Sequence, residues 1–600
     1  MKNRIFLFII SAILILACSN SDGVTNTDNG LSSSSSDTIS TTLSEQITVY
    51  EGQPEWAGIW GAWGSENYKQ SWLKGSLITI GWSSIEKKEG VFDFSKLEQK
   101  INKAVNNGQY FIPAVYVASI PEWIFDKKVP KVYIDYNNNQ ENWEPDYYAY
   151  YLDDNYKYYV RRMWSAFQKY IALLPTEKRK KFVGFQVPMG RSGDSQPYPE
   201  DPVDSQYDIQ WQGRNADAWT NYQIEMTISF LDSLKVNDLY NSAFYPIINF
   251  TDLAEQKAKE CGISVNRKSG MAAQAYNVNG EMVKESFRKF INSVQPDGSG
   301  YIRCRGEFDN VVKNNSPWLN TAPVWHYYWQ CQWMLTFGLD LFMQRTQTIE
   351  IGNTYKVAFD YFNDHVGYKD VSTARYAYVV LRDGLDVSDT NRFLISKYGG
   401  DLNERYANIL AEMSPYGAKN DDLDIQYVTS MWNYLINRKG LNDACYNNWS
   451  GNYGKYLNQI DPNVYDQGYW RVGSKEVPYG RYARGFDIAN NKNTMYFDLD
   501  DNFYGKGNDD VKSGLHIKVI YYDNDEGSWN LLYHASDGTM KSAIKNTNGQ
   551  TSGWKTIAVI LYDALLNNGG EKGADFIIEN AGDTDIRFHM LEIDRGDYVY

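Results

Sequence analysis

Ser76-Leu-Ile-Thr-Ile-Gly-Trp82 is followed by the amphipathic stretch Phe94 to Asn107 and then by Tyr110-Phe-Ile-Pro-Ala-Val-Tyr-Val117. Short apolar, β-branched runs on either side of a helix-length stretch with apolar residues every three or four positions are the pattern of a βαβ unit in a parallel sheet. The same alternation extends in both directions. Strands are expected at Gly58 to Trp63, Ser76 to Trp82, Tyr110 to Val117, Phe182 to Val187, Ser242 to Asn249, Gly270 to Tyr276, Tyr301 to Glu307 and Leu339 to Arg345. Helices are expected at Phe94 to Asn107, Tyr156 to Leu173, Trp219 to Ser233, Glu281 to Val294, Trp325 to Phe337 and Tyr355 to His365. Eight βα repeats closing a ring leave no sheet edge exposed, so the reading is α/β, a (β/α)8 barrel.

The last 130 or so residues read differently. Thr494-Met-Tyr-Phe-Asp-Leu, Leu515-His-Ile-Lys-Val-Ile-Tyr-Tyr, Trp529-Asn-Leu-Leu-Tyr, Thr556-Ile-Ala-Val-Ile-Leu and Asp575-Phe-Ile-Ile alternate inward and outward residues between Gly, Asn and Asp turns. A C-terminal antiparallel β-sandwich is expected. At the other end, Lys2 and Arg4 precede an apolar run, Ile5 to Leu16, too short to span a bilayer and typical of a signal peptide. Ile15-Leu16-Ala17-Cys18 resembles a bacterial lipobox, which implies lipidation at Cys18 and a place on the outer membrane or cell surface, with a periplasm-facing position still open. The polar stretch after it, with five serines at Ser32 to Ser36, reads as a tether. The expected organisation is signal peptide 1–18, tether 19–48, barrel 49–415, irregular connection 416–465 and sandwich 466–600.

The net charge of −15 argues against nucleic acid and anionic lipid as partners, since both demand a positive footprint. The 48 tyrosines and 19 tryptophans supply flat rings on which the apolar faces of sugars pack, although Tyr-rich strands account for them equally well. Cys261, Cys304, Cys331 and Cys445 lack zinc-ligand spacing, and buried free thiols are the expected state. The five histidines are scattered, and no HExxH, GxSxG or GxxxxGK[ST] motif occurs, so zinc protease, serine hydrolase and P-loop chemistry have no support. No cofactor is expected. Structural calcium at the acid-rich turns Phe497 to Asn502 and Tyr521 to Trp529 competes with their reading as solvated turns.

Active sites of α/β barrels lie on the loops at the carboxyl ends of the strands. Glu307 closes the seventh strand in Tyr301-Ile-Arg-Cys-Arg-Gly-Glu-Phe-Asp, where Arg303 and Arg305 favour its ionised form. Trp82-Ser-Ser-Ile-Glu86 followed by Glu89-Gly-Val-Phe-Asp-Phe94, and Pro121-Glu-Trp123 after strand three, resemble the clan of retaining barrel glycoside hydrolases that includes β-galactosidase-like, agarase-like and porphyranase-like enzymes. That resemblance implies hydrolysis of O-glycosidic bonds in a polysaccharide, with Glu307 as the nucleophile. Glu86 and Asp93 are more economically turn and capping residues.

The departure lies at strand four, which the clan ends with an acid/base glutamate. Here it runs Phe185-Gln-Val-Pro-Met-Gly-Arg-Ser-Gly-Asp194, so Asp194 is the nearest acid, with Glu200 and Glu281 as alternatives. Trp82, Trp123, Gln186, Arg191, Tyr276, Arg305 and Trp325 are the candidate sugar contacts. Arg191, Arg303 and Arg305 would suit an anionic polysaccharide such as a sulfated galactan. The competing function is a non-catalytic surface glycan-binding lipoprotein on a degenerate barrel, which the missing strand-four glutamate favours.

Overall fold

In the computed structural model the residues described are 53–137, 140, 144–191, 196–209, 216–237, 239, 328, 331, 332, 334, 335, 339–368, 371–383, 389–413, 451–473, 481–504, 514–523 and 526–595, with strand backbone at 247–248, 266–267 and 305–308. The N-terminal half forms β1 (Gly58–Gly61), β2 (Leu73–Gly81), β3 (Tyr110–Tyr116), β4 (Lys131–Tyr133), β5 (Tyr147–Ala149), β6 (Ile247–Ile248), β7 (Asn266–Arg267), β8 (Arg305–Phe308) and β9 (Leu341–Gln344). A parallel sheet runs β3-β2-β1-β9-β8. Parallel bridges from Phe111 to Phe182 and from Ala114 to Gln186 set the expected fourth strand beside β3. β1 therefore lies between the second strand and the last, which is the neighbour relation a ring of eight requires. β6 and β7 pair in parallel. β7 precedes the expected sixth strand, Gly270 to Tyr276, because Asn266 and Arg267 carry no apolar signal; residues 270–276 lie outside the described residues.

Local rules explain the helices that cover this sheet. Helix Ser95–Asn106 buries Leu97, Ile101 and Ala104, one stripe at helical spacing. Asp93 accepts the Ser95 N–H at its start, and Gly108, at φ +80°, ends it in a conformation that a side chain would strain. Helix Asp154–Ala172 is capped by the Asp153 carboxylate, which accepts the Asn155 and Tyr156 N–H groups, and buries Tyr156, Tyr159, Val160, Met163, Trp164, Phe167 and Ile171. After β9, helix Lys356–His365 packs Phe362 on Phe342. The part of the expected Trp325 to Phe337 helix that is described, at Tyr328, Cys331, Gln332, Met334 and Leu335, is helical, and Cys331 is a buried free thiol.

The C-terminal part adds β10 (Tyr376–Val380), β11 (Tyr453–Lys455), β12 (Leu457–Ile460), β13 (Gln467–Val472), β14 (Arg481–Gly485), β15 (Thr494–Leu499), β16 (Leu515–Asp523), β17 (Ser528–His534), β18 (Met540–Thr547), β19 (Gly553–Leu561), β20 (Phe576–Asn580) and β21 (Arg587–Asp594). One antiparallel sheet joins β11-β10-β21-β14-β13 with β16 and β19, and a second runs β12-β15-β20-β17-β18. Ile517, Val519, Leu591 and Ile593 of the first share one apolar core with Phe497, Trp529, Leu531 and Ile578 of the second.

Two expected boundaries move. The expected barrel span, 49–415, includes Arg375 to Asp386, yet Tyr376–Val380 pairs with β21, Tyr376 opposite Asp594. The connection 416–465 was expected to be irregular, yet it ends in β11 and β12. An alternating run does not name the sheet it joins, and here the partner lies more than 200 residues away in sequence.

β21 also packs on helix Lys356–His365. Glu592 is buried between His365, whose Nε2 is 2.7 Å from its Oε2, and Lys518, whose Nζ is 2.8 Å from its Oε1. Burial alone would raise the Glu592 carboxyl; the hydrogen bond and charge of His365 and then Lys518 outweigh it and bring the pKa down to about 2. A carboxyl lowered in the folded state adds stability that is complete above its unfolded value and is lost as pH falls from about 4.5 toward 2. Denaturation followed against pH should therefore show a steep loss below pH about 4.5, and Glu592→Gln should flatten that loss while lowering stability at neutral pH.

Candidate functional site at the carboxyl ends of the strands

Trp82, directly after β2, is fully buried. Its indole N–H donates to Glu86 Oε2 at 2.7 Å, and Glu86 Oε1 accepts the Gly90 N–H at 2.7 Å and pairs with the Arg162 guanidinium. The carbonyl of Glu86 accepts the Trp123 indole N–H at 2.9 Å. Trp123 meets Trp82 edge-on at 6.3 Å and Tyr159 edge-on at 5.0 Å, with Arg162 lying over its ring. One buried glutamate thus ties the end of β2, the turn at Gly90 and helix Asp154–Ala172 together through its carboxylate, and the loop after β3 through its carbonyl.

Trp82 has no exposed face and braces the rim, which leaves it no surface for a sugar. Trp123 is partly buried, with its N–H held by the Glu86 carbonyl. Glu86 and Asp93 are turn and cap carboxylates, as their positions before Gly90 and Ser95 suggested.

Gln186 is buried on the fourth strand, where its N–H donates to the Pro113 carbonyl at 3.1 Å. Beyond it, the Arg191 N–H donates to the Pro197 carbonyl at 3.0 Å, pinching the loop that carries Asp194. The Arg191 guanidinium pairs with buried Glu144, from the excursion after β3 that includes the β4–β5 hairpin. A guanidinium neutralised by a buried carboxylate is a poor receptor for sulfate, so Arg191 no longer supports an anionic substrate. Glu144 was missed because nothing in Glu141-Asn-Trp-Glu144-Pro145 marks it as a partner for a loop 47 residues later. Tyr151, Tyr156 and Tyr198, packed close by, have hydroxyls pushed well above the usual phenol range by burial, which keeps them neutral.

Glu307 stands one residue before the end of β8, in register with Met343 of β9, and Met343 is in register with Trp60 of β1. Arg305 is opposite Leu341. Glu307 therefore lies on β8 near its carboxyl end, whereas Arg305 opens the strand at its amino end. Asp194, Tyr276, Trp325, Arg303 and Cys18 lie outside the described residues.

The first strand, expected to run to Trp63, ends at Gly61. Trp63 sits two residues past β1, is 48% exposed, and donates its indole N–H to the Tyr116 hydroxyl at the end of β3. A 740 Å³ groove lined by Glu55, Lys69, Lys74, Asn107 and Tyr110 lies instead at the amino ends of β2 and β3, away from the end where barrels do chemistry. The calcium question turns on the acid-rich turns. Asp500 accepts the Asn502 N–H, and Asp523 accepts the Gly549 and Thr551 N–H groups, so these carboxylates act as turn acceptors. Among the described residues no three His, Cys, Asp or Glu side chains are grouped to hold a metal.

Residues 71–174 match the Glyco_hydro_42 family model, described as beta-galactosidase. Both Trp82 to Phe94 and Pro121 to Trp123 fall inside that match, so the resemblance to glycoside hydrolases expected from them is borne out. No curated protein matches the chain. Among solved structures it is similar to a β-galactosidase from the psychrophilic Marinomonas ef1, at 11% identity and TM-score 0.31, covering 48% of this chain and 54% of that one. It is also similar to the catalytic domain of a β-amylase from Paenibacillus polymyxa, at 10% identity and TM-score 0.30 over 49% and 92% of the two chains. A third is a GH42 β-galactosidase from G. stearothermophilus, at 11% identity and TM-score 0.31 over 50% and 52%. The match thus spans about half the length of the β-galactosidases. The matched segment holds the Glu86 brace, whereas Glu307 lies outside it.

Glu86→Gln should lower stability by about 3 kcal/mol, because it removes the buried charge that Arg162, Trp82 and Gly90 share and leaves Arg162 only the half-exposed Glu89, 3.6 Å away. Urea unfolding would measure the loss. If Glu86 serves only as a brace, the variant that remains folded should keep its kcat.

Proposed function

We propose that this protein hydrolyses O-glycosidic bonds in a galactose-containing polysaccharide, with Glu307 as nucleophile. The observation that carries the reading is the position of Glu307 on β8 near its carboxyl end, in a chain whose residues 71–174 match a glycoside hydrolase family. The six neighbouring parallel strands belong to a closed (β/α)8 barrel, and the two C-terminal antiparallel sheets form a β-sandwich that supports it.

In this mechanism the Glu307 carboxylate attacks the anomeric carbon. A bond from that carbon to the carboxylate oxygen forms as the glycosidic C–O bond breaks, and Asp194 protonates the departing oxygen. Asp194 then takes a proton from water, the water oxygen displaces Glu307, and configuration is retained. The pinch at Arg191, held by Glu144, sets the base of the Asp194 loop. Lipidation at Cys18 and the tether 19–48 would hold the enzyme at the cell surface, where polysaccharide is met.

A second reading, a surface lipoprotein that captures glycan without cleaving it, is favoured by the fourth strand. Gln186 and Val187 stand there, and Phe185 to Met189 contains no glutamate.

Product release from neutral and sulfated galactans, xylans and mannans decides between the two. Hydrolysis of neutral galactan should fall by about four orders of magnitude in Glu307→Gln, and Asp194→Asn should slow substrates with poor leaving groups most. Binding of these glycans without turnover would establish the capture reading.

A further inference from the structure

Trp63 is the one tryptophan among the exposed large apolar residues of the described chain. It follows β1 at the carboxyl end of the parallel sheet and is 48% exposed. Water contact on an indole costs free energy unless something else covers it, and a fold that merely needed a residue there would accept a polar one. The ring is also held. Its N–H donates to the Tyr116 hydroxyl at 2.8 Å, reaching past β2 to the last residue of β3, while the Trp63 carbonyl accepts the Thr346 hydroxyl at 2.6 Å from just after β9. Three strand ends therefore fix one exposed aromatic plane. An immobilised ring loses little further entropy when a ligand stacks on it.

We propose that Trp63 is a sugar-stacking platform that binds a pyranose other than the one cleaved. The proposal rests on the hydrolase reading for the location of the cleaved sugar, and deepens it. Glu307 is in register with Met343 and, through it, with Trp60, so β8 and β1 are separated by two strand spacings, about 10 Å. Trp63 stands three residues further along the chain than Trp60. The platform is thus offset sideways from Glu307 by more than the width of one sugar ring. It recognises the apolar face of a neighbouring residue in a chain of several sugars, and gives the protein a preference for oligosaccharides over simple glycosides.

The test compares Trp63→Ala and Trp63→Phe with the wild-type chain on nitrophenyl β-galactoside and on a β-1,4-linked galactotetraose. For the tetrasaccharide, Trp63→Ala should raise KM about tenfold while kcat changes little, and Trp63→Phe should restore most of the loss. For nitrophenyl β-galactoside, KM should stay within about twofold. The thermal midpoint should move by no more than about 2 °C, since the side chain is half exposed. Equal effects on the two substrates, or none on either, would overturn the proposal.

Equilibrium binding keeps this outcome separate from the fate of the hydrolase reading. Galactotetraose should quench and blue-shift the tryptophan emission of Glu307→Gln, and should not do so in the Glu307→Gln, Trp63→Ala double variant. If the wild-type protein binds the tetrasaccharide through Trp63 but cleaves nothing, the hydrolase reading fails and the platform stands. If it cleaves galactosides yet the double variant binds the tetrasaccharide as tightly as Glu307→Gln, the platform fails alone.

Discussion

The buried carboxylate of Glu86 holds the described rim together. It has no solvent to stabilise its charge, so it persists only because Trp82, Gly90 and Arg162 all donate to it. Those donors belong to the end of β2, the turn that leads into helix Ser95–Asn106, and helix Asp154–Ala172, and the Glu86 carbonyl adds the loop after β3 through Trp123. A charge satisfied from several elements at once fixes their relative positions more tightly than apolar contact, because each donor has a direction as well as a distance. The strand ends that carry Trp63 and Tyr116, on which the sugar platform depends, rise beside this knot.

A second constraint joins the two halves of the described chain. β21 is flanked in its own sheet by β10, β14 and β16, and its side chains Met590 and Glu592 contact Tyr361 and His365 of helix Lys356–His365, which follows β9. The first C-terminal sheet is thus packed against helix Lys356–His365 by buried, partly charged contacts, within the single unit 46–600.

The βα alternation was legible because each unit carries its own period: apolar runs for the parallel strands, and a three-to-four spacing for Leu97, Ile101 and Ala104 or Val160, Met163 and Phe167. Glu307 was legible for the same reason, since a strand's end is a local event. Less legible were the partners. Trp82 had the composition of a sugar contact, and only the fold shows it turned into the wall. Arg191 looked like an anion receptor until Glu144 was brought beside it. Trp63 passed as a strand residue because Gly-Ala-Trp-Gly carries no sign that Tyr116 and Thr346 will pin it.

The sequence by itself therefore determined the order and type of most of the described elements and the strand end at which a carboxylate stands, all of which depend on residues near one another in the chain. Tertiary structure alone decided which sheet Tyr376–Val380 joins, which aromatic rings are buried and which is presented, and which charges cancel. Those outcomes depend on pairs such as Tyr376 with Asp594 and Trp63 with Tyr116, whose contact energies are realised only once distant segments of chain have been brought together.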